Sequence, residues 1–208
     1  MEISFLSAFK QLINFLEDLE RKKKVKYFVV GGILTNIYSD FRITRDIDFV
    51  VDIDSVNISI DEYVNLLKNK EFQPIQDWKT AIFLANESNF IQFLDKQGMI
   101  KFDNYFLDKF SKSKYKRIGV FSLKHRVRET LFDTECWIIS KEDFIISKLV
   151  YGGWQDYTDA LGCWIRNQGN LKIPYMEQTC RELEIKRELE LLISGIDDPD
   201  EFFNKMNK

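Results

Sequence analysis

Two adjacent glycines followed, thirteen residues later, by a pair of alternating aspartates constrain this chain more than any other feature: Val29-Val30-Gly31-Gly32, then Asp46-Ile47-Asp48-Phe49. Successive side chains of a strand alternate faces. Asp46 and Asp48 therefore point the same way with α-carbons about 6.6 Å apart, while Ile47 and Phe49 turn toward a core. Two carboxylates so placed repel one another unless a cation compensates them, and hard divalent ions take oxygen ligands completed by water and phosphates. Upstream, Tyr27-Phe28-Val29-Val30 is an apolar, β-prone run. Glycines lacking Cβ let the backbone turn sharply after it and approach a triphosphate closely. A helix from about Ile33 to Ser39 would aim its first N–H groups at that anion. The pattern implies strand, phosphate-hugging turn and a second strand bearing a metal clamp, as in an enzyme that handles a nucleoside triphosphate.

These residues resemble the signature of the polymerase-β-like nucleotidyltransferase superfamily: an apolar residue, Gly-Gly or Gly-Ser, a spacer, then Asp-x-Asp between apolar residues. The run Arg42-Ile43-Thr44-Arg45-Asp46-Ile47-Asp48 is similar to the Arg-x-Thr-x-Asp-x-Asp form of the abortive-infection (AbiEii-type) toxin branch and related minimal nucleotidyltransferases. The resemblance implies an α+β fold, a nucleotidyltransferase core with a short mixed sheet flanked by helices. It also implies that Gly31 and Gly32 cradle the triphosphate and that Arg42, as a bidentate donor, and Thr44 position phosphates. Asp46 and Asp48 would hold two Mg²⁺ ions, or Mn²⁺ in their place, set about 3.5–4 Å apart in such sites. A second pair, Asp52-Ile53-Asp54, has the same parity, so alternation alone does not choose between them. The first pair stands at the superfamily offset and is followed by Phe49-Val50-Val51, a run suited to a buried strand, and takes the metal assignment.

The superfamily places a third carboxylate on a later strand. Lys96-Gln97-Gly98 is a turn signal before Met99–Phe106, where Lys101, Asp103 and Tyr105 share one face. Asp103 is the candidate for completing the metal site and accepting the proton of the attacking hydroxyl. It also reads as a solvated edge-strand acid, and Asp95 and Asp108 compete from positions nearer loops. Residues 110 to 128 are basic and sparsely apolar, which suits either an acceptor surface for a polyanion such as tRNA or an ordinary exposed loop.

A second resemblance begins at Ser140, an N-cap with Asp143 three residues on. Ser140-Lys-Glu-Asp-Phe-Ile-Ile-Ser-Lys148-Leu and Asp156-Tyr-Thr-Asp159-Ala are similar to elements after the core in the AbiEii-type branch. By that resemblance Lys148 meets the triphosphate, and Asp156 and Asp159, on one helical face, order the site. Lys148 reads equally as a solvated helix lysine, and Gln155 stands where the branch often has a basic residue.

Apolar periodicity predicts a helix from about 3 to 22, another from Ser59 to Lys70, strands at Thr80–Ala85, Phe90–Leu94 and Glu135–Ile139, a helix from Tyr175 to Leu192 and a short tail helix after Pro199. The domain reading is a catalytic core over residues 1–139 and a helical domain over 140–208. With 45% hydrophobic and 30% charged residues among 208, the chain reads as a folded globular protein. Lys plus Arg total 30 against 33 acids, so no global field marks a nucleic-acid binder. Cys136, Cys163 and Cys180 lack metal or disulfide spacing, and the single histidine, His125, lies in a basic stretch that reads as surface. With no apolar run long enough to span a bilayer and no secretory signal, a cytoplasmic protein without membrane contact is expected.

The expected reaction moves a nucleoside monophosphate from a triphosphate to an acceptor hydroxyl and releases pyrophosphate. The resemblance allows tRNA 3′ ends, protein hydroxyls or a small molecule as acceptor, and a cognate antitoxin as partner of a toxin. Rival readings are an inactive nucleotidyltransferase-fold binding module or antitoxin, and a glycosyltransferase whose Asp-x-Asp binds the metal of a nucleotide sugar.

Overall fold

A computed structural model describes residues 3–206. In chain order the elements are α1 (Ile3–Lys23), β1 (Lys26–Val30), a 3₁₀ turn (Gly31–Leu34), α2 (Thr35–Tyr38), β2 (Asp46–Asp52), α3 (Ile60–Lys68), β3 (Gln73–Pro74), α4 (Trp78–Ser88), β4 (Phe90–Leu94) and β5 (Lys101–Phe106). There follow α5 (Lys114–His125), β6 (Val127–Leu131), β7 (Thr134–Ile138), α6 (Lys141–Tyr151), α7 (Trp154–Asn167), α8 (Ile173–Glu182), α9 (Lys186–Ile193) and α10 (Pro199–Met206). The architecture is α+β, with a mixed sheet and flanking helices.

The chain divides into two compact units. The first comprises the residues up to Ile33, Ile43–Asp108 and Arg126–Ile138. It holds the seven-stranded sheet, in the order β3-β4-β5-β2-β1-β7-β6. Strands β2 and β5 run parallel, as do β1 and β7, and the other neighbours are antiparallel. Along β2, Ile47 and Phe49 are buried while Asp46 and Asp48 are half-buried, the alternation expected where one face meets a core. That core is aromatic. Phe72 stacks edge-on to Phe15, Phe93 and Phe102 with centroids 5.4, 5.2 and 5.6 Å away, and Tyr63 meets Phe106 at 5.4 Å.

The second unit comprises Leu34–Arg42, Lys109–His125 and the residues from Ile139 onward. Its centre is α6, which is buried on nearly every side through Phe144, Ile145, Ile146, Leu149 and Val150, with Glu142, Asp143 and Lys148 buried among them. Tyr38 packs on Phe144 at 5.6 Å and donates its hydroxyl to the Ile139 carbonyl at 2.9 Å. Tyr157 of α7 packs on Phe202 of α10 at 5.1 Å.

Four local expectations are corrected. Thr80–Ala85 lies within helix α4, because the Asp77 side chain accepts from the Thr80 N–H (2.9 Å) and hydroxyl (2.7 Å) and so starts a helix. The segment from Ile33 to Ser39 is a 3₁₀ turn followed by a single α-turn rather than one helix. The basic stretch contains helix α5 and strand β6, and α5 buries Ile118 and Ser122. The helix expected over 175–192 is broken. Glu184 takes φ of 61°, the N–H of Ile185 returns to the Cys180 carbonyl (2.9 Å) and that of Glu184 to Arg181 (3.2 Å), a Schellman stop that buries Ile185. Lys186 consequently pairs with Glu190 at 2.8 Å.

Candidate active site

Strand β1 delivers the chain to Gly31, whose φ of +76° lies in the left-handed region that glycine adopts without strain. A second requirement acts at the same position, since a Cβ on Gly31 would run into the Asp48 carboxylate. Val30 and Asp48 are paired across β1 and β2, which brings the glycine turn and the aspartate together.

In the parallel β2–β5 pair Asp46 faces Lys101, and Asp48 faces Asp103. Paired residues put their side chains on one side of the sheet, so Asp46, Asp48 and Asp103 share a face with Lys101. On the other side of β5, Gln92 of β4 is paired with Asp103. The Gln92 amide donates to Asp103 Oδ1 at 2.9 Å, and Lys101 Nζ donates to Asp103 Oδ2 at 2.9 Å. The same ammonium lies 3.4 Å from Asp46 Oδ2. Thr44 donates its hydroxyl to Asp46 Oδ1 at 3.1 Å. Partial burial works against the Lys101 charge, but the hydrogen bond and charge of Asp103, with those of Asp46, outweigh it and hold the ammonium above its ordinary range.

The donor set suits a hard divalent cation in kind, and the Lys101 ammonium between Asp46 and Asp103 marks where positive charge is drawn. Among the described residues no group of three or more His, Cys, Asp or Glu side chains is gathered closely enough to hold an ion. Asp46 and Asp103 turn to Lys101, and Asp48 packs against Gly31.

The competing acids have other places. Asp52 ends β2, is buried and accepts from the Ser55 N–H at 3.3 Å, and Asp54 opens a 3₁₀ turn. Asp95 accepts the N–H groups of Met99 (2.7 Å) and Ile100 (3.0 Å) and builds the β4–β5 turn. Asp108 accepts from the Asn89 amide at 3.4 Å.

A second cluster lies within the second unit. Lys148 Nζ sits 2.9 Å from Asp156 Oδ1 and 2.8 Å from Asp159 Oδ2, and its side chain is 10% exposed. Gln155 donates to Asp159 Oδ1 at 3.1 Å, and Arg42 Nη2 lies 3.5 Å from Asp159 Oδ2. The Arg42 backbone N–H is held by the Asn36 side chain at 3.1 Å. Lys148 is a buried, doubly paired cation, so the solvated reading does not apply to it.

Lys101 and Gln92 are the functional neighbours that sequence reasoning left unassigned. Strand parity already places Lys101 on the Asp103 face. Gln92 needs the β4–β5 register, which no local pattern supplies.

No protein-family model matches the chain, and no curated protein matches it in sequence. Among solved structures, the chain is similar to an antigenic nucleotidyltransferase-like protein from Paracoccidioides brasiliensis, with 16% identity and a TM-score of 0.51 over 86% of this chain and 94% of that one. A lincosamide antibiotic adenylyltransferase, LnuA, with lincomycin bound, matches at 17% identity and a TM-score of 0.43 over 74% of this chain and 94% of that one. The first likeness shows the fold to be of the nucleotidyltransferase type. No helix among the described residues is long and apolar enough to cross a membrane.

Proposed function

We propose that this protein is a metal-dependent nucleotidyltransferase that moves a nucleoside monophosphate from a triphosphate to an acceptor hydroxyl. The observation that carries the reading is the placement of Asp46, Asp48 and Asp103 on one face of the parallel pair β2 and β5, with Gly31 backed directly onto Asp48. Asp46, Asp48 and Asp103 would hold Mg²⁺, which when bound polarises phosphate oxygens and neutralises their charge.

The backbone at Gly31 and Gly32 offers close approach to the phosphates. Thr44 fixes the orientation of Asp46, and Gln92 that of Asp103. Asp103 accepts the proton of the acceptor hydroxyl. The freed oxygen bonds to the α-phosphorus as the bond to the β-phosphate oxygen breaks, and pyrophosphate leaves. Within the second unit Arg42 and Lys148 are both committed to Asp159, a pairing that a phosphate contact by either cation would weaken.

The finer assignment, to the abortive-infection branch with a tRNA, protein or small-molecule acceptor and an antitoxin as partner, rests on the sequence resemblance of the Arg42–Asp48 run and of the Ser140–Leu149 and Asp156–Ala160 elements. A cytoplasmic setting suits the three buried free thiols.

A second reading, a nucleotide-binding module without turnover, draws on one observation: Lys101 lies between the carboxylates that a metal would need. Incubation of the protein and Mg²⁺ with each α-labelled triphosphate, total cell RNA and total protein decides between them. Transfer predicts label on one macromolecular fraction and pyrophosphate release, both absent from an Asp46→Asn, Asp48→Asn double variant. Nucleotide binding by thermal shift, with no label and no pyrophosphate on any acceptor, would establish the module instead.

A further inference from the structure

Two carboxylates of the candidate site are held in the same manner. Asp46 has its Oδ1 taken by the Thr44 hydroxyl at 3.1 Å, and Asp103 has its Oδ1 taken by the Gln92 amide at 2.9 Å. Each thereby presents Oδ2, and the Lys101 ammonium stands at both, 3.4 and 2.9 Å away. Neutral donors fix the orientation and a single positive charge fills the gap, an arrangement built to receive a cation. Lys101 opens β5, is paired with Asp46 in the sheet register, and is 36% exposed. Its flexible four-carbon stem can carry the ammonium out to solvent without disturbing the strand.

We infer that Lys101 is a built-in counter-cation that competes with divalent metal for Asp46 and Asp103, so that metal entry requires its withdrawal. The inference rests on the proposed metal-dependent reading of this site. Two compact positive charges do not share the same pair of carboxylate oxygens, since like charges at such separations repel strongly away from bulk water. The lysine thus keeps the acids compensated before metal arrives and weakens metal binding by the strength of its own pairing.

The test is a Mn²⁺ titration of the full chain without nucleotide, followed by the paramagnetic resonance of free Mn²⁺, together with melting in EDTA and in Mn²⁺. Lys101→Ala should bind Mn²⁺ about tenfold more tightly than the parent, melt lower in EDTA and gain more on adding Mn²⁺. Lys101→Arg, which keeps the charge, should retain the parent's weaker binding, an outcome that mere loss of packing does not produce. Lys101→Gln serves in place of alanine if that variant does not fold. Unchanged Mn²⁺ affinity in Lys101→Ala or Lys101→Gln would overturn the inference and leave the nucleotidyltransferase reading intact. Absence of Mn²⁺ binding in parent and variants alike, with ATP added as well, would overturn the metal-dependent reading and this inference together.

Discussion

Asp48 packs its carboxylate onto the backbone of Gly31, at the place a Cβ would take. The contact makes Gly31 necessary twice, for its φ of +76° and for the room it leaves. Gly31→Ala should therefore cost about 1–2 kcal/mol in backbone conformation and, in addition, push Asp48 from its place opposite Asp103. Urea unfolding should register the first effect. Pyrophosphate release should register the second as a loss of activity larger than the stability change explains. A Gly31→Ala protein as active as the parent would show that the close approach has no functional part.

The three acids should separate from the fold. Asp46 and Asp48 are half-buried, and Asp103→Asn keeps one oxygen to accept from Lys101 while its amide is met by the Gln92 side chain turned to present its carbonyl oxygen. Each Asp→Asn change should lower transfer by about 10²-fold or more, the scale on which removing one transition-state contact is felt, while leaving far-ultraviolet dichroism unchanged. Asp52→Asn, by contrast, should weaken the turn that Ser55 closes and leave nucleotide chemistry alone. Equal activity losses at Asp46 and Asp52 would sink the choice of the first pair.

Much of the candidate site is legible because its signals are local. Strand parity places Asp46 and Asp48 on one face, the glycine pair marks the turn, and Ser59 and Ser140 cap α3 and α6 through the N–H groups of Glu62 and Asp143. What escapes depends on longer-range facts. In α4 the apolar run Ala81-Ile82-Phe83-Leu84-Ala85 fits strand or helix equally, and the cap at Asp77 decides for helix, leaving Phe83 and Leu84 exposed. Glu184 breaks a continuous amphipathic pattern without glycine or proline, because burying Ile185 offsets the cost of a left-handed glutamate. Strand β6 is hidden since Arg128, Glu129 and Thr130 are exposed on an edge, where alternation carries no apolar signal. Gln92 is tied to Asp103 only by the register of two strands.

The pairing of Lys148 with Asp156 and Asp159 gives a prediction about stability. Asp159 is 4% exposed, so Lys148→Met leaves a buried carboxylate with the Gln155 amide, at 3.1 Å, and the more distant Arg42, at 3.5 Å, for compensation. Loss of one partner from a buried pair of this kind costs about 3–5 kcal/mol. Adding Asp159→Asn to Lys148→Met should recover part of that loss, and a double-mutant cycle in urea measures the coupling. Additive effects of the two changes would mean that the pair contributes no mutual stabilisation.

Asp143 supplies a pH dependence. Its carboxyl is buried in the first turn of α6, with Oδ1 accepting from the Tyr175 hydroxyl at 2.5 Å and Oδ2 without a hydrogen-bond partner among the described residues. Burial pushes its pKa up to about 6, against the opposing pull of the Tyr175 and Ser140 hydrogen bonds. A carboxyl whose folded pKa lies above its unfolded value binds its proton more readily in the folded state. Its contribution to stability is therefore complete below the unfolded pKa, near 4, and is lost as pH rises through about 6. The loss is on the order of 3 kcal/mol, since each pKa unit is worth about 1.4 kcal/mol. Urea unfolding between those limits should show parent stability falling relative to Asp143→Asn, which keeps the shape and carries no titratable proton. Tyr175→Phe, which removes a donor to the ionised form, should steepen the fall. Parallel curves for parent and Asp143→Asn across that window would show that Asp143 does not titrate between the two states as its burial requires.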